Sequence, residues 1–376
     1  MAKEDVVSIV VYALILAFAA VLGFSFLVPK VEAGLFGDQG RTIIFMVLSL
    51  LVGLILNALL FEVAHLIGAK IGKYEVLSFN VLGFAIYKRL DADKKSYLSV
   101  KFPRNYDGLV GETIISPKSE KSYPIPYVFS PLIVFLIEVL GVILFFYYVP
   151  DANSTKDILI TLKYGLFIVM AVCGMMIIYD YFPAKLDNMN DGYRLVMLNK
   201  KINIEAFNEL LRYERDQYFG EETVTIKTFD QITDFTAKVN LVSIQNKMAN
   251  NSEEALADLE KLLESEKQIS KETLLTVKTL KMFILFMYKS IDEGKAFAEE
   301  NLKDDLKKFI FSRNSILTAK TYALYVHFVE KSESETQNAL ERCDKLLNKI
   351  NLSQLKFETN SLNEVKNKIK QEVVEE

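Results

Sequence analysis

Apolar and polar positions are segregated along this chain. Up to about Met197 the sequence runs in long apolar stretches; beyond it Lys, Glu, Asp, Asn and Gln dominate. Four stretches, about Val6–Val28, Ile43–Ile67, Val128–Tyr148 and Ile158–Tyr181, reach the roughly 20 residues that a helix needs to cross a hydrocarbon core. They predict a polytopic membrane domain over residues 1–199. The first stretch is too long for the core of a signal peptide and has no small-residue cleavage site close after its start, so it reads as a retained span.

The segment joining the second and third stretches is rich in Lys and Arg, from Lys70 and Lys73 through Lys88, Arg89, Lys94, Lys95, Lys101 and Arg104 to Lys118 and Lys121. The two short connections hold only Lys30 and Lys156. Basic loops stay in the cytoplasm, so both termini of a four-span chain lie there too. Within this basic segment Val76 to Tyr87 is strand-like, and a second strand pair is expected around Leu109 to Ile115, giving a β-region over about 74–116. It reads either as a small hairpin on the membrane surface or as an edge strand that accepts an extended substrate.

From about Ile202 the period changes to 3.6 with charged outer faces, the mark of soluble helices. The segments SEEALADLEKLL, DEGKAFAEENL and SETQNALERCDKLL place Ala255, Ala296 and Ala339 at one internal point, roughly forty residues apart. Residues 200–376 therefore predict a cytoplasmic helical domain, either a tetratricopeptide-like repeat or an irregular bundle, with Leu274 to Tyr288 as an inner helix. The expected fold class is an all-α membrane domain of about four spans with a small β-region, followed by this helical domain.

Composition agrees with the division. The mean hydropathy is +0.19 although 24% of residues are charged. A net charge of −4 argues against nucleic acid as a partner, because phosphate binding needs a concentrated basic surface. Cys173 lies in an apolar stretch and Cys343 in the polar half, so they form neither a disulfide nor a metal-binding pair.

Ionisable side chains inside a membrane span are costly and mark function. Glu62 and His65, three residues apart, share a face near the cytoplasmic end of the second span. Read plainly, they hydrogen-bond each other or reach toward the headgroups. Read chemically, Phe61-Glu62-Val63-Ala64-His65 is a zinc-protease HExxH whose first histidine is phenylalanine.

The surrounding text, Asn57 to Lys73, resembles the active-site helix of the site-2 protease family of intramembrane zinc metalloproteases. The Phe79-Asn80-x-x-Gly83-Phe84 segment resembles the family's membrane-associated β-region, which comes next in order. Asp191-Gly192 after Pro183 has the layout of the family's third-ligand aspartate, and Asn190 to Arg194 is a form common in bacterial members. Ser130-Pro131-Leu132 is similar to the family's Gly-Pro-Leu, with the small residue and a following asparagine altered. The resemblance covers about residues 1–199 and leaves the C-terminal half outside the shared core.

That resemblance implies Glu62 as general base, His65 and Asp191 as zinc ligands, and Phe79, Asn80, Gly83 and Gly192 as substrate-binding residues, in a bacterial plasma membrane. Phe61 leaves the site one ligand short, so zinc is weak or absent. His327 as a replacement ligand, Glu62 turned from base to ligand, or help from Asp180 or Asp187 are the ways to complete it. Three functions compete: a pseudoprotease that binds membrane segments or peptides and, on its helical domain, a cytoplasmic protein; an active metalloendopeptidase with a non-standard site; and a membrane-anchored scaffold.

Overall fold

The computed structural model describes residues 3–32, 38–81, 84–90, 96–101, 112–149, 157–182, 190–219, 225–348 and 352–375. The chain divides near Ile204 into two compact units.

In the first unit, helix α1 (Lys3–Leu22) passes through a π-helical turn, Gly23–Leu27, into the short α2 (Val28–Glu32). Helices α3 (Gln39–Ile71), α4 (Ile125–Tyr148) and α5 (Asp157–Tyr181) follow, with the sheet inserted between α3 and α4. Four helices are long and apolar enough to cross a membrane, at Ile9–Glu32, Gln39–Ile71, Ile125–Tyr148 and Ile158–Tyr181. Their outward residues are those lipid would cover: Leu16, Phe24, Leu136 and Ile137 are all exposed. At 1.5 Å per residue α3 is about 50 Å long, well beyond a hydrocarbon core of about 30 Å. Asp38 caps its start by accepting from the Gly40 and Arg41 amides.

Strands β1 (Tyr74–Val81), β2 (Phe84–Leu90), β3 (Ser96–Lys101) and β4 (Glu112–Pro117) form one antiparallel sheet in the order β3-β2-β1-β4. A bulge between Val76 and Ser78 lets both Leu77 and Ser78 bury. Two expectations change here. The region is a four-stranded sheet rather than a hairpin with a following pair. Its Val76–Tyr87 segment is not an edge: β1 is paired on both sides, and the edges are β3 and β4. The α3–β1 corner turns on Lys73, whose φ of 62° is left-handed. Its carbonyl accepts from Ser122 Oγ and the Lys118 amide, while the Tyr123 amide donates to Gly72, so the segment entering α4 is fastened to the end of α3.

Packing of α3 on α4 is close enough to need glycine. A Cβ on Gly68 would stand 2.3 Å from the Pro126 carbonyl oxygen and 2.8 Å from Ser130 Oγ. The start of α4, at Pro126, Tyr127 and Ser130, is therefore the surface against which the histidine-bearing turn of α3 lies. Helix α6 (Asp191–Met197) ends this unit, and α7 (Lys201–Tyr218) leads into the second.

After α7 and a non-helical stretch at 225–233, the described elements of the second unit are all helical: α8 (Asp234–Lys247), α9 (Ser252–Glu264), α10 (Lys271–Tyr288), α11 (Ile291–Asn301), α12 (Asp304–Ser312), α13 (Ile316–Tyr325), α14 (Glu333–Leu347) and α15 (Leu352–Glu375). Its core is built on α10, where Val277, Leu280, Phe283, Ile284 and Phe286 are fully enclosed. The lysines of α10 stay at its margin, Lys281 pairing with Glu260 at 2.5 Å. Helices α9, α11 and α14 each begin on a side-chain cap, Asn251, Ser290 and Ser332. Four residues past each cap stands a buried small residue: Ala255, Gly294 and Thr336. Ala255 and Ala339 are buried as expected, whereas Ala296 is exposed, and Gly294 takes its place against the Phe286 ring. Cys173 and Cys343 are both buried free thiols.

Candidate functional site

Glu62 and His65 sit one turn apart near the C-terminal end of α3. Glu62 is 5% exposed, and Thr113 Oγ1 of β4 donates to its Oε2 at 2.5 Å. The pair does not hydrogen-bond internally: His65 Nδ1 lies 3.0 Å from the Tyr127 carbonyl oxygen, which can only accept. Nδ1 therefore carries the proton, leaving Nε2 with its lone pair free to face inward. The Tyr127 ring packs on the imidazole at 4.8 Å, and its hydroxyl donates to the Thr113 carbonyl at 3.2 Å. One residue of α4 thus orients the histidine and anchors the strand that holds the glutamate.

Asp191 reaches this pair from α6. Asn190 caps α6 through the Tyr193 amide, and its own amide group donates to the Tyr179 and Phe182 carbonyls at 3.1 and 2.7 Å, tying the start of α6 to the end of α5. A Cβ on Gly192 would stand 2.1 Å from the Tyr181 carbonyl oxygen, so only glycine lets α6 approach this closely. As a result Asp191 Oδ2 lies 3.4 Å from His65 Nε2. Its Oδ1 accepts from Arg194 at 3.1 Å, and its amide donates to Asp180 Oδ1. Burial pushes the Asp191 carboxyl up to about 6, against the opposing charge of Arg194.

The arrangement can be tested against zinc. Ligand atoms about 2.0–2.1 Å from a tetrahedral zinc lie about 3.3 Å from one another, close to the separation of His65 Nε2 and Asp191 Oδ2. Asp191 Oδ2 is also buried without a hydrogen-bond partner among the described residues. The third position fails: Phe61, one turn before His65, is 4% exposed and offers only a phenyl ring. Among the described residues no three His, Cys, Asp or Glu side chains are grouped to hold a metal. Among the described residues the donor set supplies two ligands where a catalytic zinc takes three and a water, and that set does not fit one.

Of the other expected residues, Phe79 is half-buried and Asn80 is buried on β1, with its Oδ1 lacking a partner among the described residues. Gly192 acts in the backbone contact to Tyr181, and the structure gives it no other part. Gly83 and Asp187 lie outside the described residues. His327 belongs to the second unit, where its ring packs against Phe328. Thr113 and Tyr127 are absent from the motif reading, and Arg194 enters it only as the end of Asn190–Arg194, with no role of its own. Arg194 carried a signal, three residues past Asp191 on a short helix; Thr113 carried none, since its role arises from strand pairing. No family model, curated protein or solved structure matches the chain.

Proposed function

We propose that the protein is a catalytically degenerate member of the site-2 protease type, which holds transmembrane segments or small membrane peptides without cleaving them. The observation that carries this reading is Phe61, a buried phenyl ring where the third zinc ligand is required. Without that ligand zinc affinity falls by orders of magnitude, and without zinc no water near Glu62 has its pKa brought to about 7. The remaining polar groups are turned to one another, Glu62 to Thr113 and Asp191 to Arg194. Asn80, with its unsatisfied Oδ1, is suited to hold the backbone of a bound segment.

In this reading the chain lies in a bacterial plasma membrane with both termini in the cytoplasm, as the basic segment between α3 and α4 favours. The helices after α7 form tetratricopeptide-like hairpins, a reading supported by the recurring cap and small residue at Asn251 and Ala255, Ser290 and Gly294, and Ser332 and Thr336. They dock a cytoplasmic protein.

A second reading, an active intramembrane endopeptidase with Glu62 as base, is favoured by the 3.4 Å separation of His65 and Asp191. Identifying the membrane segments that co-purify with the full-length protein and with Glu62→Gln separates the two. The proposal expects the same intact segments in both. Segments shortened with the wild type and whole with Glu62→Gln establish the protease instead.

A further inference from the structure

At the C-terminal end of α3, where its apolar run stops, four lysines are drawn together from two separate segments. Lys70 lies in the last turn of α3 and Lys73 in the corner that follows, while Lys118 and Lys121 lie between β4 and α4. Backbone bonds join the two segments. The Lys118 amide and Ser122 Oγ donate to the Lys73 carbonyl, and the Tyr123 amide donates to Gly72. Ser119 Oγ accepts from the Lys121 amide at 3.3 Å, which closes the turn. Because Tyr74 pairs with Pro117, Lys73 and Lys118 stand opposite one another at the next position.

All four lysine side chains are exposed. Like charges opposite each other on paired strands are destabilising. Lys73 also holds a left-handed φ of 62°, which glycine would adopt more easily. Among the described residues no carboxylate offsets these charges: Glu75 is engaged by Lys88, and Glu120, the one acid in the turn, pairs with none of the four.

The surface beside them is apolar. Ile67 and Ile71 share a face of α3, with Lys70 three residues after the first, and are 55% and 65% exposed; Tyr123 is 49% exposed. A soluble anion would leave these three side chains bare. A phospholipid matches both parts, with acyl chains along the isoleucines, the tyrosine ring at the interface and the headgroup phosphate among the ammonium groups.

We propose that Lys70, Lys73, Lys118 and Lys121 bind the headgroup of an acidic phospholipid. The bound lipid holds the last turn of α3, and with it His65 five residues earlier, at a fixed depth below the bilayer surface. Such a site serves a pseudoprotease and a protease alike.

Native mass spectrometry of the full-length protein in detergent counts bound lipids during titration with phosphatidylglycerol or phosphatidylcholine of identical acyl chains. A lysine at the headgroup favours an acidic lipid about fivefold. Phosphatidylglycerol therefore binds more tightly to the wild type, and Lys73→Gln with Lys118→Gln lowers its advantage about twentyfold. Lys70→Gln with Lys121→Gln, which keeps the opposed pair, gives a similar loss. Lys267→Gln with Lys303→Gln, the same charge change at exposed positions of the second unit, leaves the advantage intact. With an opposed pair of like charges gone, the lipid-free Lys73→Gln, Lys118→Gln variant melts no lower than the wild type, so lost binding is not lost folding. Equal binding of the two lipids, or an advantage that survives both double variants, overturns the proposal. Displacement of phosphatidylglycerol by an equal concentration of glycerol phosphate makes the ligand a soluble phosphate and overturns it too.

Discussion

His65 Nε2 on α3 and Asp191 Oδ2 on α6 lie 3.4 Å apart. The contact depends on two backbone arrangements, the Tyr127 carbonyl that fixes the imidazole tautomer and the absence of a side chain at Gly192. The 3.4 Å separation is what adjacent metal ligands would show, and in the proposed reading Phe61 withholds the third.

If Gly192 sets the approach of α6 to α5, then Gly192→Ala destabilises the membrane unit by about 1–3 kcal/mol, the usual cost of forcing backbone shifts in a packed site. Gly141→Ala, where an added Cβ meets nothing within 4 Å, is neutral or slightly stabilising. Thermal unfolding in detergent compares them, and equal midpoints would remove Gly192 from the account.

Thr113 of β4 donates to the buried Glu62 side chain, so Thr113→Val removes that hydrogen bond at a cost of about 1–3 kcal/mol. Thr113→Ser keeps the hydroxyl and recovers most of that loss. Chemical denaturation of both variants checks the order, and a valine variant as stable as the serine one contradicts it.

Much of this fold is legible from residue pattern, because lipid exposure demands continuous apolar runs. The expected spans Ile43–Ile67 and Val128–Tyr148 fall inside α3 and α4. Hydropathy missed the ends of α3 because capping by Asp38 and the polar turn at Lys70 lie outside the apolar run. The Phe61, Glu62, His65 and Asp191 set was visible as a motif. Thr113 and Tyr127 were not, since they meet Glu62 and His65 only through β1–β4 pairing and the close fit of α4 on Gly68. Ala296 misled because composition does not reveal helix register; counting from the Ser290 cap points to Gly294.

In the second unit Lys320 is 2% exposed and donates to Glu358 Oε2 at 2.6 Å and Ser361 Oγ at 2.8 Å, pinning α15 to α13. Lys320→Ala leaves Glu358 with its charge partner removed and is expected to cost about 3–5 kcal/mol. Lys320→Met with Glu358→Leu removes both charges and recovers most of the loss. A double variant no more stable than Lys320→Ala would show that shape, not charge, holds the helix.

Burial pushes the Cys343 thiol up to about 12. Because the folded value exceeds the ordinary value of about 8.5, the fold favours the protonated thiol. Its contribution is complete below about pH 8.5 and shrinks as pH rises toward 12. The stability advantage of wild type over Cys343→Ala should therefore fall between pH 8 and pH 10 in urea titrations. An advantage constant across that range contradicts the assignment.

The central claim is that Phe61 leaves a zinc site without its third ligand. Metal analysis of the purified full-length protein, alongside Phe61→His and Phe61→His with Asp191→Ala, tests it most directly. The account predicts no stoichiometric zinc in the wild type, about one zinc per chain in Phe61→His, and its loss in the double variant. One zinc per wild-type chain that disappears on Asp191→Ala would contradict it.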